Sequence, residues 1–355
     1  MKWRNLLSPA KIAQAARIES CAAWMLRHGW PDVILEFLGG LGDELLLTCV
    51  AHEIRARNPA AAVWQISPAA ELLYGNPDYS LILDQRYWDL RHSNLLRLWR
   101  KRLHYSKMQI AGAYEIPPRE HILAVLCRAA GLQGLIQLRP WCFLECNDVP
   151  TSNHFTPQIC VQSMGEVTHA SWMKNKVWFH DRMQCVIDEF IARHPELRVL
   201  QIGVEKDPLL NGTVDLRGIT TLRQTASKLK QSYCFLGTSG FLAHLARAVD
   251  CRSVVIYGGR EHAWQSGYSC NENLETRMAC APCWLWHDCD FDRQCMRDVT
   301  VEDVLNALDR AIARHGWPLE VDEIVLEQTG PQDPKSYPTV PGSQEISGLP
   351  PFIPK

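Results

Sequence analysis

The 355-residue sequence lacks any apolar run approaching the ~18–20 residues of a membrane-spanning helix, which excludes a helical membrane protein. It also lacks an excess of either charge: 37 Lys and Arg against 39 Asp and Glu leave a formal net charge of −2. That balance excludes a globally basic nucleic-acid binder and an acidic disordered chain, so no nucleic-acid partner is expected. No Walker-type phosphate loop, no Ser/His/Asp nucleophile signature and no internal repeat is present. Fourteen cysteines are too few for a disulfide scaffold in a chain of this length. The stretch Met1 to Arg27 is interrupted by Lys11, Arg17 and Glu19 before an apolar core of signal-peptide length. A cytoplasmic protein with reduced thiols is therefore expected.

What is present is an alternation of strand-like and helix-like segments. A helix is expected over Ile12–Leu26, then a buried strand at Val33–Leu38 ending in Gly39-Gly40-Leu41-Gly42. Asp43 opens a helix carrying Leu46, Leu47, Val50 and Ile54, which Asn58-Pro59 stops. Strands follow near residues 62–66 and 81–83. The rhythm resumes with strands at Gln158–Val161, Leu197–Ile202, Tyr233–Leu236 and Ser253–Tyr257. Helices at Asp181–His194, Leu222–Leu229, Phe241–Val249 and Val301–Arg314 separate or follow them. With roughly 100–200 residues per domain, two doubly wound α/β halves are expected. They divide as 1–150 and 151–320, with a Pro-rich boundary at Asn147–Pro157 and a Pro/Gly-rich tail over 329–355.

Five segments carry candidate chemistry. In Gly40-Leu41-Gly42-Asp43, glycines between strand and helix admit a ligand to the backbone, and Leu45 stands where a dinucleotide fingerprint has its third glycine. Asp43 is either a helix-capping aspartate or a general base at a strand's carboxyl end. Gly237-Thr238-Ser239-Gly240 leads into a helix containing His244, which reads as a phosphate cradle or an ordinary turn with a half-buried histidine. Lys176 stands between Trp172 and Trp178, either as a cation for a diphosphate or in a surface loop with an anchored aromatic. Cys280, Cys283, Cys289 and Cys295, separated by two, five and five residues, suit a structural zinc or iron site, packed reduced thiols, or redox-labile pairs. Finally, Arg91–Met108 holds six cations and no acid among Leu, Trp and Tyr. That stretch is either a solvated face or a surface for an anionic acceptor or the inner membrane, a peripheral contact.

In their order and spacing these segments resemble the heptosyltransferases, glycosyltransferase family nine, from about Val33 to Leu308. The resemblance implies a GT-B fold, two Rossmann-like domains facing a cleft, with the acceptor on the first and the nucleotide-sugar donor on the second. It implies inverting transfer of heptose from ADP-heptose to a lipopolysaccharide or other cell-surface glycan; a protein acceptor of autotransporter type and a binding module without turnover are the alternatives. Asp43 would be the base and Lys176 of Lys176-Val177-Trp178 would face the donor phosphates. Gly40, Gly42, Thr220, Gly237, Ser239, Gly240 and His244 would line the donor. Aligned through His244, the family's acid in this loop falls on Ser239 and its glycine on Phe241; Gly258-Gly259 stand at its Gly-Pro turn. Lysine and a helix N-terminus would serve in place of a catalytic metal, so no cofactor is expected for the reaction and any metal at the cysteines would be structural.

Overall fold

The computed structural model describes residues 9–37, 39–84, 86–87, 96–109, 114–145, 148, 156–164, 173–287 and 289–327. Leu38, Arg91, Trp172, most of the Asn147–Pro157 boundary and the tail from Thr329 lie outside the described residues.

In the first half, α1 (Pro9–His28) precedes β1 (Val33–Glu36), α2 (Leu41–Arg57), β2 (Val63–Ile66), β3 (Leu81–Leu83) and β4 (Arg100–Arg102). A hairpin of β5 (Lys107–Gln109) and β6 (Tyr114–Ile116) then leads to α3 (Ile122–Ala129) and β7 (Gly134–Gln137). The second half runs β8 (Gln158–Val161), α4 (His180–Arg193), β9 (Arg198–Gln201), β10 (Val214–Asp215), α5 (Leu222–Lys230), β11 (Phe235–Thr238) and α6 (Phe241–Ala248). It continues with β12 (Ser253–Gly258), α7 (Ala263–Ser266), β13 (Glu272–Glu275), α8 (Gln294–Arg297), α9 (Val301–Ala313) and β14 (Glu323–Leu326).

Each half is built on a parallel sheet. The first is ordered β3-β2-β1-β4 and the second β10-β9-β8-β11-β12-β13, the doubly wound arrangement in both cases. Fully buried strands such as Val33–Glu36 and Gln158–Val161 are what a parallel sheet covered on both faces requires. Helix ends follow their caps. In α2, Asp43 and Glu44 occupy the first turn and Arg55 and Arg57 the last, complementing the helix dipole. In α9, Thr300 and Asp303 close a capping box. The last strand, β14, crosses back to pair antiparallel with β7 of the first half.

The halves also pack directly. Leu45 of α2 and Leu72 share one apolar cluster with Leu242, Leu245 and Ala246 of α6. Leu45 is wholly buried there, which explains why the third glycine of a dinucleotide fingerprint is absent: this helix turns that position to the other half.

The basic segment differs from expectation. Arg100–Arg102 is a strand at the sheet edge beside β1, because Glu36 at the end of β1 supplies a buried counter-charge. Arg102 reaches Glu36 Oε2 at 3.4 Å and Arg100 at 3.7 Å, while Lys101 donates to the Ala130 carbonyl. Three of the six cations are thus engaged within the protein, although Arg97, Lys101 and Arg102 remain exposed.

Candidate active site

In each sheet the strand order reverses once, between β1 and β4 and between β8 and β11. Such reversal points, beyond the carboxyl ends of the strands, are where open α/β sheets bind their ligands. The residues following those four strands make up the site.

Asp43 follows β1. Its Oδ2 accepts the Gly40 N–H at 2.7 Å and its Oδ1 accepts the Tyr105 hydroxyl at 2.6 Å. A side chain at Gly39 would collide with this carboxylate, so a glycine is needed for it to fold back over the loop. Burial pushes the Asp43 carboxyl above its ordinary value, and the Tyr105 and Gly40 hydrogen bonds with the Lys176 and His104 charges offset this in part. Asp43 therefore caps α2 and also presents a carboxylate of raised basicity. Its neighbour Glu44, buried against Gln65, is pushed up to about 8 by burial.

Lys176 ends a 3-10 turn, Lys174–Lys176, on the connection out of β8. Its loop is held against the cysteine-bearing segment. Asn175 donates to the Trp286 and Leu285 carbonyls at 3.2 and 3.3 Å, and Trp178 Nε1 donates to the Met296 carbonyl at 3.1 Å. Trp178 is the anchor, so the surface-loop reading and the functional one describe two residues of the same turn. Lys176 Nζ lies 3.0 Å from Glu261 Oε1. Its charge acts on both Asp43 and His244, so the three residues singled out in the two halves do converge.

His244 sits one turn into α6, buried, with Nδ1 2.7 Å from the Tyr268 hydroxyl. Burial drives its pKa down to about 3, and Lys176 and His121 add to the effect against Glu261. The ring is neutral and offers a hydrogen bond but no positive charge.

Other expected donor contacts are redistributed. The Ser239 N–H goes to the Ile256 carbonyl at 3.3 Å and its hydroxyl to Glu261, so neither is a free donor for phosphate. Gly237 is a strand residue, not a loop residue: β11 runs two positions further than expected, and a Cβ there would meet the Phe235 ring at 2.5 Å. Gly40 gives its N–H to Asp43, and Gly42 faces the Phe241 backbone, where a Cβ would lie at 3.4 Å. The Thr220 hydroxyl pairs with Thr225 at 2.8 Å. Gly240 keeps its expected place at the head of α6, with φ 157° and ψ −164°, a conformation reserved for glycine, and with open space where a side chain would be.

Cys280, Cys283 and Cys289 lie on one loop and Cys295 in α8 just after it. Burial raises the thiols of Cys280, Cys283 and Cys295, and neighbouring thiols of the group add to each shift. The Cys289 Sγ accepts the Arg293 N–H at 3.4 Å. Among the described residues, no three His, Cys, Asp or Glu side chains stand in an arrangement that could hold a metal ion. The thiols are neighbours without forming a closed ligand set. Their loop packs on the Gly258-Gly259 turn: a Cβ on Gly259 would meet Cys295 Cβ at 2.9 Å.

Two side chains that contact Asp43 and Lys176 were not singled out from the sequence. Tyr105 stands three residues beyond the end of β4, inside what reads as a basic amphipathic run; recognising Arg100–Arg102 as a strand would have put it at a switch point. Glu261 directly follows the Gly258-Gly259-Arg260 turn at the end of β12, and its position after a parallel strand was the available signal.

No protein-family model and no curated protein sequence matches the chain. Solved structures do. The chain is similar to E. coli ADP-heptose lipopolysaccharide heptosyltransferase II, 15% identical over 79% of this chain and 99% of that one, with a TM-score of 0.59. It is similar to the iron-containing dodecameric glycosyltransferase TibC from enterotoxigenic E. coli H10407, 16% identical over 79% and 76%, TM-score 0.60. It is also similar to a family 9 glycosyl transferase from Veillonella parvula DSM 2008, 10% identical over 80% and 98%, TM-score 0.56. With both sheets in doubly wound order and the two switch points sharing one site, the chain has the GT-B fold of these heptosyltransferases.

Proposed function

We propose that this protein is an inverting glycosyltransferase that moves a sugar, heptose, from a nucleoside-diphosphate donor such as ADP-heptose to a hydroxyl of a cell-surface glycan, lipopolysaccharide in the first instance. The observation that carries the reading is the meeting of Asp43 from one half with Lys176 from the other at paired switch points. In the proposed step Asp43 takes the proton of the acceptor hydroxyl as that oxygen bonds to the anomeric carbon. The carbon–oxygen bond to the diphosphate breaks, and the diphosphate leaves beside Lys176 and the amino end of α6. Charge developing on the leaving oxygen meets a fixed cation in a partly enclosed site, an arrangement that stabilises a transition state more than a ground state.

Incubation with ADP-heptose and truncated lipopolysaccharide cores, read by mass spectrometry, tests this. The expected result is an acceptor heavier by one heptosyl residue with one ADP released. Binding of ADP without turnover on glycan or protein acceptors would instead identify a module without activity.

The Tyr105 hydrogen bond yields a pH prediction. It lowers the Asp43 pKa, so Tyr105→Phe raises it further. A base works deprotonated, so the acidic limb of the rate profile should move to higher pH, with less than about a tenfold loss on the plateau. A limb that stays in place or moves to lower pH would remove Asp43 from the base role.

The cysteine loop is proposed as a structural metal site. Four thiols of spacing two, five and five supply the soft donors that zinc and iron favour, and TibC is described as iron-containing. Elemental analysis of the purified protein should give about one zinc or iron per chain, and chelation should lower the melting temperature. Background metal content would leave the cysteines as packing thiols.

A further inference from the structure

Glu261 is a charged side chain in the candidate site for which the reaction above has no use. It is 4% exposed and collects four partners. Oε1 faces Lys176 Nζ at 3.0 Å, the Ser239 hydroxyl, and Arg260 Nη1 at 3.7 Å; Oε2 accepts the Ser266 hydroxyl at 3.1 Å. Burial alone would raise its pKa, but Lys176, Arg260 and the Ser239 hydrogen bond outweigh it and hold the carboxyl at about 2. A carboxylate is thus present at the head of α6 although the loop itself carries serine there.

Its placement has a consequence for an anionic ligand. The Lys176 charge acts on both Asp43 and His244, and His244 brings no charge. A diphosphate arriving at α6 therefore meets a lysine already paired with a carboxylate that Ser239, Ser266 and Arg260 hold in place. Attraction felt equally by donor and product does nothing for turnover, whereas product held too tightly slows release.

We infer that Glu261 is a positioning residue that aims Lys176 and Ser239 and, by sharing the lysine's charge, limits how tightly the nucleoside-diphosphate product is held. This rests on the functional reading above. It predicts a sign that a merely structural role would not give: removing the charge tightens product binding.

The test is calorimetric titration of the intact protein with ADP and with inorganic pyrophosphate. Glu261→Gln keeps the size and the hydroxyl contacts, and should bind ADP about tenfold more tightly, the equivalent of about 1.4 kcal/mol. Where transfer is measured, kcat and KM should fall together. Glu261→Asp, which keeps the charge, should stay within about threefold of wild type. Unchanged or weaker ADP binding by folded Glu261→Gln overturns the inference while leaving the functional reading intact. If Glu261→Gln does not fold, ADP binding by Glu261→Asp decides: weakening by more than that threefold overturns the inference, and retention supports it. A wild-type protein that binds neither ADP nor pyrophosphate overturns both.

Discussion

Replacing Asp43 by Asn is expected to lower sugar transfer by about 10²–10⁴-fold while nucleoside-diphosphate affinity stays within about threefold of wild type, because only proton abstraction is lost. The amide oxygen can still accept the Gly40 N–H that caps α2, and the Tyr105 hydroxyl can accept from the amide nitrogen. The fold should therefore survive, and a melting curve distinguishes loss of chemistry from loss of structure. Paired measurement of turnover and of ADP binding by calorimetry checks the result. Full turnover in a folded Asp43→Asn protein would remove the base assignment.

The second large effect is expected at Lys176. Lys176→Met should lower kcat/KM by about 10²–10³-fold, the usual cost of removing one stabilising donor from a developing anion. It should also destabilise the protein by about 3 kcal/mol, because Glu261 is left in a buried position without its nearest cation. The pH dependence separates the two effects. In the wild type the Glu261 pKa is depressed to about 2, so its contribution to stability is present above the unfolded carboxylate value near 4.3 and is lost as pH falls toward 2. Without Lys176 the folded pKa rises, and the penalty is greatest at neutral pH and shrinks on acidification. The double variant Lys176→Met with Glu261→Gln should regain most of the stability and none of the activity. A double variant as unstable as the single one would show that the lysine's packing, not the pair, holds the loop. Thermal melts at pH 4, 5.5 and 7.5 with parallel transfer assays provide the readout.

The fold was largely legible from residues 33–66 and 158–314, where apolar runs of strand length alternate with capped helices. The four central strands of the second sheet fall within two residues of their expected bounds, while its edge strands β10 and β13 were not foreseen. Local pattern failed where tertiary charge decided the outcome. Arg100–Arg102 reads as polar surface, yet it forms a strand because Glu36, more than sixty residues earlier, awaits it inside. The site was legible as to which segments matter and less so as to which atoms act. Asp43, Lys176 and His244 do share one electrostatic neighbourhood, but Gly237 serves its own strand and Ser239 turns to Glu261. A sequence displays which loops carry small and charged residues; it does not display which of their hydrogen bonds are already taken.

The return of β14 to β7 bears on how the cleft can open. The chain passes between the halves once after β7 and again before β14, and Glu320 on the second passage accepts from Arg247 and Arg252 of the second half. Two tethers at neighbouring positions resist sliding and twisting more than rotation about the line through them, as with the two pins of a hinge. Substrate entry and product exit would then be angular motions of small amplitude near the tethers and larger amplitude at the far rim. Substitutions at Glu320 or in β14 would be felt as altered opening rates without touching a single group that meets the ligand.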